Sequence, residues 1–125
     1  MILGVGVDLI EVERIACASA REAFVRRVYT QAERALFASR TSAVQVMAAH
    51  WAAKEAVMKA LGAGIGTIAF GEIEILRKPD GAPMVRLYGA AQTRLIQLHG
   101  THLHVSLSHV ARMAVAFAVL EGEEP

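Results

Sequence analysis

The chain has 125 residues, 54% of them hydrophobic, and 13 Lys+Arg against 12 Asp+Glu leave a net charge of +1. That length predicts one ordinary domain, residues 1–125, able to bury its own core. The balanced charge argues against a nucleic-acid coat or a polybasic anchor, and the single cysteine, Cys17, excludes an internal disulfide, a CxxC redox pair and a cysteine zinc site.

The longest apolar runs, 1–7 and 113–120, fall short of the roughly 18 residues of a membrane span. MILGVGVD meets Asp8 too early for a secretory leader. A cytoplasmic setting is expected, which one free thiol fits. In chain order, residues 2–7 (ILGVGV) predict a short buried strand that ends at Asp8. Residues 11–27 carry an uneven helical pattern built on Ile15, Phe24 and Val25. Thr30 followed by Glu33 is a capping box for a helix over 31–38. Ser42 can cap the longest helix, 43–61, and Gly62 stops it. GAGIG (62–66) reads as a loop. Residues 72–78 and 84–88 flank Pro79-Asp80-Gly81-Ala82 and predict a hairpin. A short helix over 89–98 precedes strands 103–107 and 112–120, and EGEEP predicts a frayed tail. Neighbouring strands with short connections favour an antiparallel sheet. The expected class is α+β, one domain, with a long helix packed on that sheet.

Several residues can carry chemistry, each beside a plainer reading. Asp8, at the end of a glycine-bearing strand, is a rigid carboxylate or a helix cap. Glu55 and Lys59 stand four apart on one face of the long helix. They read as a surface ion pair, or as an acid and a cation turned to a ligand on an alanine-rich helix. Gly62, Gly64 and Gly66 suit a helix stop or a backbone nest for phosphate, although no GK[ST] follows. In HVSLSH, Ser108 and His109 close a strand, and the spacing of His104 and His109 suits zinc poorly. Residues 13–40 hold six arginines (14, 21, 26, 27, 34, 40) against Glu13, Glu22 and Glu33. That segment is a solvated helical face or a dock for an acidic partner.

Taken in order, GVGVDLIEVERI, YTQAE, WAAKEAVMKALGAGIG, the DGAP turn and HVSLSH resemble the holo-acyl-carrier-protein synthases, a family of 4′-phosphopantetheinyl transferases, over nearly the whole chain. The resemblance implies that family's fold and a homotrimer with sites at subunit interfaces. It implies transfer of 4′-phosphopantetheine from coenzyme A to a serine of apo-acyl carrier protein, releasing adenosine 3′,5′-bisphosphate, for fatty acid biosynthesis. It implies Mg²⁺ on Asp8 and Glu55, with Lys59 beside the phosphates. The base that takes the serine proton is left open between Glu55 and a water. Coenzyme contacts are implied for His50, Lys59, Gly62, Gly64, Gly66, Ser108 and His109. Arg14 and Arg21, extended by Arg26 and Arg27, match the face the family offers to its carrier. Two positions depart from the family: His50 stands where arginine is common, and Ala18 where a larger apolar residue is common. The competing readings are the same chemistry on another synthase's carrier domain, a coenzyme A-binding module without catalysis, and a trimeric scaffold.

Overall fold

The computed structural model describes residues 1–64 and 66–124. Ile65, inside the expected glycine loop, and Pro125, at the end of the expected tail, lie outside the described residues. The chain opens with β1 (Ile2–Glu11), which runs well past the expected 2–7. Its ladder to the last strand continues through Asp8↔Ala116 to Glu11↔Met113. Long-range pairing therefore overrides the local stop signal of a carboxylate, and Asp8 lies within the strand.

The single helix expected over 11–27 is two, α1 (Val12–Ser19) and α2 (Glu22–Val28). The Ser19 hydroxyl donates to the Ala16 carbonyl, and Arg21 takes extended backbone. Both halves bury apolar residues, Ile15 on one and Phe24 on the other. α3 (Gln31–Ala38) carries the expected capping box, with Thr30 and Glu33 exchanging backbone and side-chain bonds. α4 (Ala43–Ala60) starts without a side-chain bond from Ser42, contrary to expectation. Its C-terminus is closed by two backbone bonds, Gly62 N–H to Lys59 and Ala63 N–H to Met58. This is a Schellman closure with Gly62 at φ +62°, a conformation that costs a Cβ-bearing residue energy.

A 3-10 turn over Phe70–Glu72 leads into β2 (Ile73–Arg77) and β3 (Pro83–Leu87), the expected hairpin. α5 (Gly89–Gln97), β4 (Gly100–His109) and β5 (Met113–Gly122) complete the chain. β5 takes in Glu121 and Gly122, part of the expected tail, because Gly122 N–H bonds the Met1 carbonyl. The class is α+β as expected, with two antiparallel sheets in place of one: β1-β5-β4 and β2-β3.

α4 lies on one face of the three-stranded sheet. The contact is built from small residues: Ala52, Ala53 and Ala56 on the helix meet Ala114, Ala116 and Ala118 on β5, all buried. A Cβ at Gly4 would strike the Ala60 carbonyl, and one at Gly6 the Ala56 carbonyl. Much of the chain's apolar content is spent on this close approach. The outer face of the same sheet is apolar on β1 and β5 as well, and exposed: Val5 is 55%, Val7 51%, Leu9 61% and Phe117 46% accessible, while β4 turns His104, Ser106 and Ser108 outward. Among the described residues, no helix is long and apolar enough to cross a membrane.

Candidate active site

The period of two along β1 decides where Asp8 points. Gly4, Gly6, Asp8 and Ile10 share the face that meets α4, while Val5, Val7 and Leu9 face out. Glu55 and Lys59 stand on α4 one turn apart. They do not pair with each other. Lys59 Nζ turns to β1, donating to the Val7 carbonyl at 2.9 Å and standing 3.6 Å from Asp8 Oδ1. The plain intrahelical ion pair is thus replaced by a strand-to-helix contact.

Both carboxylates are held above the usual range. For Asp8 the cause is burial, partly offset by the Lys59 ammonium and more weakly by Arg14. For Glu55 it is burial followed by the negative charge of Asp8, again partly offset by Lys59. Two half-buried acids, one of which raises the proton affinity of the other, form a pair whose repulsion a cation relieves. Among the described residues, no group of three or more His, Cys, Asp or Glu could hold a metal. The donor set therefore fits a hard cation that takes two carboxylates and completes its shell from water or substrate oxygens, and does not fit an all-protein cage.

Beside this pair, Glu55, Met58, Lys59, Gly64, Gly66 and Phe70 are among the residues lining a pocket of about 310 Å³. Gly66 has φ +84°, and Gly64 has open space around its Cα. Gly62 lies in an adjoining groove with Gly4, Lys59 and Arg94. The structure thus gathers Asp8, Glu55, Lys59 and the glycine loop.

Three expected residues stand elsewhere. His50 is wholly buried, with its Nδ1 2.7 Å from Glu33 Oε2. It cannot reach a molecule in the pocket, so its expected coenzyme contact is withdrawn: its ring belongs to the core between α3 and α4. Ser108 and His109 are exposed at the end of β4, around a small cavity they share with Leu9 and Val115. Within one chain β5 separates them from Asp8.

The pocket also has residues that sequence reasoning missed. Met58 stands three residues after Glu55, a helical spacing that could have revealed it. Phe70 comes from the turn before β2 and left no such signal. Lys54, which reads as one more helix charge, is fully buried and donates to Glu33 Oε1 at 2.7 Å.

Arg14 on α1, Arg21 at the start of α2, and Arg26 and Arg27 on α2 are all exposed. Arg26 is partly neutralised by Glu22 at 2.9 Å. Of these, Arg14 lies near enough to Asp8 to lower its proton affinity slightly.

Comparison with known proteins adds independent findings. Residues 4–118 match the family model of the 4′-phosphopantetheinyl transferase superfamily. A holo-[acyl-carrier-protein] synthase of Clostridium perfringens is 42% identical over 98% of this chain and 96% of its own length. One from Herpetosiphon aurantiacus is 47% identical over 91% of this chain and 94% of its own. Among solved structures, the Neisseria meningitidis synthase superposes with a TM-score of 0.88 at 31% identity, covering 97% of this chain and 99% of that one. The Bacillus anthracis synthase in complex with CoA (3′,5′-ADP) gives 0.81 at 32% identity, covering 98% and 99%. Motif order, fold and full-length identity agree, and the chain belongs to the holo-[acyl-carrier-protein] synthase family of the 4′-phosphopantetheinyl transferase superfamily.

Proposed function

We propose that this chain transfers the 4′-phosphopantetheine arm of coenzyme A to a serine hydroxyl of an apo-acyl carrier protein, in the cytoplasm and in the service of fatty acid biosynthesis. The serine oxygen forms a bond to the β-phosphorus, the bond from that phosphorus to the bridging oxygen breaks, and adenosine 3′,5′-bisphosphate leaves. The observation that carries this reading is the acidic pair. Asp8 and Glu55 come from separate elements, burial holds both above the usual range with the Asp8 charge adding to the rise at Glu55, and both feel the ammonium of Lys59 at the pocket. The names of the relatives support it, and so do the coenzyme A complexes of the Bacillus anthracis and Helicobacter pylori synthases.

Mg²⁺ is the cation this reading assigns to Asp8 and Glu55. Bound there, it would offset charge on the pyrophosphate. The other roles fall to side chains of the chain itself. Lys59 is tethered by the Val7 carbonyl, so its ammonium stands at a fixed place where negative charge develops on the transferred phosphoryl group. Glu55, or a water beside it, accepts the serine proton. Gly64 and Gly66 allow phosphate oxygens to approach the backbone without a Cβ in the way. Arg14 and Arg21, with Arg26 and Arg27, form the dock for the acidic carrier.

The same reading includes a homotrimer. The exposed face of Val5, Val7, Leu9 and Phe117 is more apolar than a solvated sheet face needs to be. Ser108 and His109, remote from Asp8 within one chain, would complete a neighbour's pocket.

The test is the mass of the carrier. Incubated with this protein, coenzyme A and Mg²⁺, an apo-acyl carrier protein gains one phosphopantetheine, and EDTA abolishes the gain. An unmodified carrier in the Mg²⁺ arm defeats the proposal.

A further inference from the structure

Behind the pocket lies a cluster of charge that the transfer chemistry does not use. Glu33 on α3 and His50 and Lys54 on α4 are all buried. Glu33 accepts from the Lys54 ammonium at 2.7 Å, from the Thr30 backbone N–H at 3.0 Å, and from His50 Nδ1 at 2.7 Å. The His50 bond fixes that ring with its Nε2 unpartnered among the described residues. Lys54 spends its other two donors on main chain: the Phe70 carbonyl at 3.0 Å and the Ile73 carbonyl at 2.5 Å. An ammonium has three donors, and all three are used.

Those carbonyls bracket the turn that carries the Phe70 side chain to the pocket. The Phe70 ring in turn stacks on Trp51, with centroids 4.4 Å apart and planes 18° apart, and Trp51 stacks on Phe24 at 5.7 Å. On the exposed side the same turn is held by Glu72, which accepts from the Ala69 N–H at 2.8 Å and from the Ala90 N–H. On the buried side its fastening is Lys54. Trp51, Lys54, Glu55 and Met58 are spaced along one length of α4, so the helix that presents Glu55 also grips the opposite wall of its pocket.

A buried ion pair is a poor source of stability, because desolvation cancels most of the attraction. Its use here is geometric. We propose that the Glu33–Lys54 pair, oriented by His50, is a brace that sets the Phe70 wall at a fixed distance from Glu55 and Lys59, and that Lys54 is thereby a positioning residue for coenzyme binding. This rests on the coenzyme A reading of that pocket.

The test replaces the pair without leaving an unpaired charge, as Glu33→Gln with Lys54→Met. Four quantities are compared with the wild type: melting temperature, Trp51 fluorescence, and the KM for coenzyme A and for the carrier. Trp51 is the chain's one tryptophan, so its emission reports the stack on Phe70 directly. The brace predicts a folded double variant with altered Trp51 emission, a coenzyme KM raised about tenfold or more, and an unchanged carrier KM, since small displacements at a reacting site are costly. A purely structural role predicts a lower melting temperature with a coenzyme KM within about twofold of wild type, and that result overturns the proposal.

Should the double variant fail to fold, Lys54→Arg decides. It keeps the counter-charge for Glu33 but replaces the compact ammonium with a longer planar fork, which must displace the two carbonyls to bond them. Raised coenzyme KM with altered Trp51 emission supports the brace, and unchanged values refute it. Wild-type protein that modifies no carrier defeats the coenzyme reading and the brace with it. Wild-type transfer with unchanged KM in the variants defeats the brace alone.

Discussion

Glu55 stands on α4 and Glu33 on α3 beside it, yet their environments push these two glutamates in opposite directions. Burial and the charge of Asp8 raise the proton affinity of Glu55. Burial would raise Glu33 too, but hydrogen bonds from His50 and Lys54 and the Lys54 charge outweigh it and hold Glu33 below the usual range. Linkage turns these directions into opposite pH dependences. The stability tied to the protonated form of Glu55 is fully present below the ordinary value of 4.5 and is lost as pH rises through the raised folded value. The stability from ionised Glu33 is present above 4.5 and is lost as pH falls through the lowered folded value. Without metal at neutral pH, Glu55→Gln is therefore expected to raise the melting temperature. The gain shrinks toward zero below pH 4.5, while turnover with Mg²⁺ falls by about 100-fold or more, the scale of losing one charge-stabilising group. Glu33→Gln does the reverse at neutral pH, losing about 3 kcal/mol because a buried ammonium loses its partner. Melting curves of both variants across pH, with EDTA present, check the signs. Equal and parallel changes in the two variants would refute the opposed environments.

Between elements, the decisive contact is β1 on α4. It is made of glycine and alanine because a strand carrying Asp8 must lie close to a helix carrying Lys59 for the two to meet. A methyl group at position 6 would strike the Ala56 carbonyl and crowd Lys59 Cβ. Gly6→Ala is expected to cost about 2 kcal/mol, the usual price of overpacking. It is also expected to lower kcat/KM about 100-fold by moving Asp8 away from Lys59. Denaturant unfolding and steady-state rates measure the two effects. Full activity in the variant would mean that the Asp8–Lys59 contact does not matter to the reaction.

At the scale of the molecule, two strands of the three-stranded sheet, β1 and β5, are apolar on both sides, while β4 turns His104, Ser106 and Ser108 outward. α4 covers one face, and the other exposes Val5, Val7, Leu9 and Phe117. Phe117→Glu sets a carboxylate in the middle of that open face, on the central strand. Sedimentation is expected to show trimer for the wild type and monomer for the variant, with unchanged far-ultraviolet circular dichroism and most turnover lost. A wild-type monomer that is fully active would remove the neighbour from the site.

Local chemistry made parts of this protein readable from sequence alone. The Thr30–Glu33 cap, the stop at Gly62 and the DGAP hairpin each depend on residues a few positions apart. The motif WAAKEAVMKALGAGIG carried Glu55, Lys59 and two pocket glycines together because helix spacing and a short loop connect them. What the sequence could not decide involved partners far along the chain. The length of β1 followed from its ladder to β5, more than a hundred residues away, and that ladder put Asp8 inside the strand. Lys59 chose Asp8 and Val7 over its helical neighbour Glu55 because β1 runs alongside. His50 looked like a ligand-facing residue by its place in the motif, and packing of α3 against α4 turned it to Glu33. Phe70 reached the pocket through tertiary contacts: the stack on Trp51, the bonds to Glu72 and the carbonyls that Lys54 holds. Sequence determined the elements and the chemical groups, whose causes are short-range. Tertiary structure decided which groups face one another, since that depends on which surfaces the chain must bury.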